Sequence, residues 1–272
     1  MPQSKATEKK FLKMPSKDVY YICQMVDGSL DGLGFERNIE GFMGDMACSR
    51  LLHDYPKFTP LHEYIEEIVT DVIWEEHGVD ESKLLDAHNI RWGKKLWVDH
   101  LLQAHGFQYS FVTWAAQVED KSAEAYLEYL QSEDILPTLA ECVAKEAFHI
   151  LFANRKVLRN FGERAAYHVL ETAPAFYSEK LTAKGYLKRA SIPQWVRDAI
   201  FHRDKGICVQ CKADLTRLIN QQNALHYDHM IPLAKGGMND VTNLQLLCES
   251  CNLKKSHHIV QHSVVYESWY EY

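Results

Sequence analysis

Apolar positions recur at helical spacing from about Asp31 to Lys184. In PLHEYIEEIVTDVIWEEH (Pro60–His77), Leu61, Tyr64, Ile65, Ile68 and Val72 fall on one face, and Pro60 suits a first helical turn. DKSAEAYLEYLQSE (Asp120–Glu133) and TLAECVAKEAFHILFANRKVLRNF (Thr138–Phe161) repeat the pattern and predict two further helices. The pattern changes after KLTAKGYLKRASIP (Lys180–Pro193), where a glycine, a basic cluster and a proline mark a boundary. IPQWVRDAIFHRDKG (Ile192–Gly206) predicts a helix stopped by glycine. HYDHMIPL and NLQLLC then read as strands around a turn-rich KGGMND loop, and ESCNLKKSHHIVQH reads as a final helix. The expected organisation is a flexible arm over 1–18, a mainly α domain over 19–185, and a small α+β domain over 186–272 that ends in the aromatic tail SVVYESWYEY.

Composition adds little to this outline, but the distribution of charge adds more. The chain has 272 residues, 46% hydrophobic and 25% charged, an ordinary balance for a globular protein. It has no apolar run long enough to span a bilayer, and its lysine-rich start is followed by no signal-peptide core. We therefore expect a cytoplasmic protein with no membrane partner. The net charge is −7. Residues 1–186 carry 20 basic against 29 acidic side chains, whereas 187–272 carry 10 against 8. A polyanion would meet the C-terminal part more readily.

Four of the seven cysteines form two Cys-x-x-Cys pairs, Cys208/Cys211 and Cys248/Cys251. Two such pairs complete a tetrahedral thiolate site of the kind zinc favours. With all four positions filled, one Zn2+ would have a structural role and no chemistry. The 36 residues between the pairs exceed zinc-ribbon spacing, so something independent is threaded between them. Cys23, Cys48 and Cys142 are scattered and read as small buried residues.

The threaded insert holds Asp228-His229 and Asn243, and Asn252 directly follows the last cysteine. With the helix ending in RDKG, the Cys208–Cys211 knuckle, DHMIPLAKGG and NLQLLCESCNLKK, the stretch Ile192–His258 resembles a zinc-stapled HNH endonuclease module. The resemblance covers about a quarter of the chain. It implies a ββα-metal fold and metal-dependent phosphodiester hydrolysis. It assigns His229 as general base, Asp228 and Asn252 as ligands of one Mg2+ or Mn2+, and Asn243 as the residue that ties the loop and helps orient His229. Asn252 stands where many members have histidine, an HNN-type variant. Its harder amide oxygen favours Mg2+ or Mn2+ over softer ions. One helical turn later the residue is Ser256, with His257 one step off.

Arg203, His226, Lys235, Lys254, Lys255 and His257 lie near these residues in sequence and are candidate substrate contacts. Asp99-His100, in a helical context with no asparagine or cysteine following, reads as an ordinary helix pair, and HEYIE at His62–Glu66 is not HExxH. Arg155, Lys156 and Arg159 read as a solvated face. The expected activity is an HNH endonuclease acting on DNA, most simply nicking double-stranded DNA. Its setting would be as the effector of a bacterial restriction or anti-phage system, or as a stand-alone or toxin-like nuclease. A catalytically silent zinc-stapled binding module is the alternative. The acidic helical region, which resembles no family known to us, could serve a protein partner or self-association.

Overall fold

The computed structural model describes residues 13–32, 39–45, 48–78, 96–120, 122–218 and 224–255. Its helices are α1 (Val19–Leu30), α2 (Ile39–Asp45), α3 (Cys48–Leu51), α4 (Pro60–Gly78), α5 (Trp97–Ala104), α6 (Phe111–Ala115), α7 (Ala123–Ser132), α8 (Ile135–Leu151), α9 (Arg155–Phe176), α10 (Gln194–Arg203) and α11 (Glu249–Lys255). Among the described residues two strands, β1 (Leu225–His229) and β2 (Leu244–Cys248), make one antiparallel pair. Most of the N-terminal arm, His257 and the aromatic tail lie outside the described residues.

The stripe from Thr138 to Phe161 is two helices, where the apolar pattern predicts one. Asn154 breaks it: its side-chain oxygen accepts from the amides of Lys156 and Val157 and so caps α9. Hydrophobic spacing carries through the break because both helices bury their apolar residues; the cap is the local signal.

The chain divides into two compact units, residues 1–22 with 66–147 and residues 23–65 with 148–272. This differs from the sequence boundary near 186, because the C-terminal α+β segment packs with residues from well before it. In the first unit the Asp99 carboxylate is fully buried; it accepts from the Phe111 amide at the start of α6 and from the Tyr126 hydroxyl at 3.0 Å. Asp99 therefore has a structural role.

In the second unit Phe42, Tyr64 and Phe161 pack ring against ring. His62 stacks on Phe58 and Phe148 and hydrogen-bonds Thr59, so it too is structural. Lys156 pairs with Asp31 at 2.5 Å, and Arg159 lies 3.7 Å from Glu163, so these cations face carboxylates.

The C-terminal segment has its own core: Val196 and Ile200 of α10, Cys208, Val209 and Leu215 of the knuckle, Val241, and Leu244, Leu246 and Leu247 of β2. Tyr55, from the other end of the sequence, joins it. β2 is buried along its whole length, whereas β1 is half-buried until His229. The register sets His226 opposite Leu247, Asp228 opposite Gln245 and His229 opposite Leu244.

Candidate metal centres and nuclease site

The four paired cysteines converge. Their sulfurs lie within 4.8 Å of one another, and Cys211 Sγ is 3.6 Å from Cys248 Sγ. Tetrahedral zinc with Zn–S bonds near 2.3 Å needs sulfurs about 3.8 Å apart, so the set fits zinc. Local backbone aims them: the Cys208 amide donates to Ala213 O, and the Lys212 amide donates back to Cys208 O across the turn. Burial pushes the Cys211 and Cys251 thiols up. Cys248 is held below the ordinary thiol value in spite of its burial, chiefly by the Ser250 hydroxyl and the Cys251 amide. Crowded sulfurs of this kind resist successive ionisation until a cation shares them.

Asn252 follows Cys251, so the sulfur cluster fixes the start of α11 and places Asn252 beside the end of β1. There Asp228, His229 and Asn252 line one pocket together with Arg189, Lys255, Thr182, Tyr186 and Leu253. A carboxylate and a side-chain amide lining one pocket suit a hard divalent ion that keeps waters and takes phosphate oxygens as further ligands. Lys255 Nζ holds one oxygen of Asp228 at 2.5 Å and also donates to the His229 carbonyl. The other Asp228 oxygen has no hydrogen bond among the described residues, and it suits the ion.

His229 is 2% exposed, and both its ring nitrogens are buried with no hydrogen-bond partner at normal geometry. Burial, then the Arg189 charge, holds its pKa down to about 4, against the pull of Asp228 and Asn239. The imidazole is therefore neutral at physiological pH, the form that can accept a proton. A buried imidazole with two idle nitrogens is costly in a merely structural position.

The loop after His229 is cross-braced by Asn243. Its Oδ1 accepts from the Ile231 amide at 2.9 Å, its Nδ2 donates to Ile231 O and Met238 O at 3.0 Å, and its carbonyl accepts from the Met230 amide at 2.7 Å. Asp240 caps the turn that carries Asn243 by accepting from the Thr242 amide and hydroxyl. Gly236 (φ +83°) and Gly237 have no room for a side chain: a Cβ would strike the Ala166 carbonyl of α9 and the Ile231 carbonyl, respectively.

The expected substrate contacts separate. The Arg203 side chain is buried, its guanidinium held by both oxygens of Asp204 and by Leu244 O and lying over Phe152. It supports the fold and does not reach the pocket. Lys255 is 2% exposed and is committed to Asp228 and His229 O, so it builds the site and is not a surface phosphate contact. His226 is half-buried, its Nε2 is shielded, and it does not line the pocket. Lys235 and Lys254 are exposed near the pocket without lining it, and His257 lies outside the described residues.

Arg189, missed in the sequence, does line the pocket. Among the described residues no carboxylate pairs with it. Its signal was the basic cluster of LKRAS, which reads equally as a polar boundary.

This geometry accords with the comparison to protein families. Residues 208–258 match the HNH endonuclease family model. The matched HNH segment contains the whole zinc site, β1, β2, the braced loop and the described part of the last helix, while the N-terminal region matches no family. No curated protein and no solved structure matches the chain. An HNH domain implies a nuclease that binds nucleic acid, and among the described residues no helix is long and apolar enough to cross a membrane. Arg189, Thr182 and Tyr186 line the HNH pocket but lie before the matched segment.

Proposed function

We propose that the protein is a metal-dependent endonuclease that hydrolyses phosphodiester bonds of DNA, cutting one strand per site. One observation carries this reading: a single pocket gathers Asp228, Asn252, Arg189 and a buried, neutral His229. A silent binding module would have no need of such an imidazole.

Asp228 and Asn252 would hold one Mg2+ or Mn2+, which when bound supplies positive charge to the phosphate and to the departing oxygen. His229 takes a proton from the attacking water as the new P–O bond forms and the P–O bond to the leaving sugar oxygen breaks. Arg189 binds a non-bridging phosphate oxygen and sets the strand in line. Asn243 keeps the loop rigid, so His229 stays within reach. Sequence specificity would be low without a partner. The modest positive charge of 187–272 supports delivery by a partner, as in restriction or anti-phage systems.

Purified protein with Mg2+ or Mn2+ should convert supercoiled plasmid to open circles, and EDTA should stop it. His229→Ala should abolish nicking while the protein stays folded. Full activity in that variant would remove His229 from the mechanism, and a wild-type protein inert with both ions would favour the silent module.

A further inference from the structure

Asn243, the residue that the family resemblance credits with helping to orient His229, spends every polar group of its side chain on the loop backbone. The ring must be oriented by something else. Asn239 is fully buried beside it. Its Nδ2 donates to Asp54 Oδ1 and to Lys188 O, both at 2.8 Å. Both groups are acceptors only, so they fix which end of the amide is nitrogen. Oδ1 must then occupy the other end, where it is buried without a partner. His229 likewise has two buried nitrogens without partners.

We propose that Asn239 is the positioning residue for His229, its Oδ1 accepting the ring N–H so that the other nitrogen is left unprotonated for the incoming water. Asp54, 185 positions away in sequence, acts through it by locking the amide. A free amide could flip and present Nδ2, which would demand the opposite tautomer and spoil the base. The local backbone supports the same arrangement, because the Tyr55 amide donates to the Asn239 carbonyl at 2.8 Å. The base is therefore held in register by a segment outside the family match.

The catalytic consequence rests on the nuclease reading above, whereas the state of the ring does not. Histidine-15N labelling of the zinc-loaded full chain, with His229 assigned by its loss in His229→Gln, reports which ring nitrogen carries the proton at neutral pH. Wild type should show one tautomer, and a mixture would overturn the proposal. Asn239→Ala should give the mixture and lower kcat about 10–100-fold with KM unchanged. Asp54→Asn still offers an acceptor to Asn239 Nδ2 and should keep the single tautomer and most of kcat. A single tautomer in Asn239→Ala, or a mixture in Asp54→Asn, would also overturn it. Should Asn239→Ala not fold, the wild-type and Asp54→Asn spectra decide. If wild type nicks nothing, the nuclease reading fails and the tautomer result still stands.

Discussion

Arg189 and Arg203 carry the same charge to different ends. Arg203 →Ala would strand Asp204, a buried carboxylate that also accepts from the Leu246 amide and lies 3.6 Å from Arg155. Removing one partner of a buried pair costs about 3–5 kcal/mol. Thermal unfolding should show that loss. Arg189→Ala should leave stability within about 0.5 kcal/mol. It should weaken DNA binding and make the salt dependence of log K shallower by about 0.9. The reverse pattern would exchange the roles given to the two arginines. Sequence proximity to the knuckle favoured Arg203 as a substrate contact, but its guanidinium lies over Phe152, in the turn after α8, which no local pattern announces.

Two buried titratable groups of the loop pull stability in opposite directions with pH. His229 is held down to about 4 when folded, by burial first, so between about 6.5 and 4 the unfolded chain binds more protons. Its contribution is present above that window and is lost as pH falls through it. Asp240 is pushed up to about 6 by burial, so its contribution is present below about 4 and is lost as pH rises through 6. The two largely cancel in wild type. Relative to wild type, Asp240→Asn should lose stability as pH falls from 6.5 to 4, and His229→Gln should gain it. Denaturant midpoints across that range check both signs.

The elements themselves were largely legible. Both strands, the α10 helix and the glycine loop follow from alternation and turn chemistry. What the sequence could not show is the surface on which the loop rests. Gly236 looks like a turn glycine, and its positive φ agrees. Its second constraint is the backbone of α9, which a Cβ would strike. That contact depends on tertiary placement, and α9 itself was hidden inside a longer apolar stripe until Asn154 capped it. Gly236→Ala is therefore expected to cost about 1–3 kcal/mol. It should also lower nicking, because the displaced loop carries Asn243's anchors. A variant with wild-type melting and activity would show that α9 yields freely. The candidate ligands Asp228 and Asn252 were legible through the family resemblance, whereas the ring's own support at Asn239 was not, because half of it comes from Asp54.

At the scale of the molecule, the sulfur cluster and the pocket meet at the start of one helix, where Asn252 directly follows Cys251. Cys248→Ser should lower zinc content from about one per chain and loosen the C-terminal segment, since a structural zinc site contributes folding free energy directly. Metal analysis with circular dichroism checks this. A folded, zinc-free variant that still nicks would separate the two sites. Taken together, Asp54, Tyr55, Arg189 and α9 all touch the apparatus from outside residues 208–258. The smallest portable version of this site is therefore a discontinuous one. Grafted onto another host, the 51 matched residues would carry their zinc and their histidine but arrive without the brace behind the ring, the arginine lining the pocket and the floor under the loop.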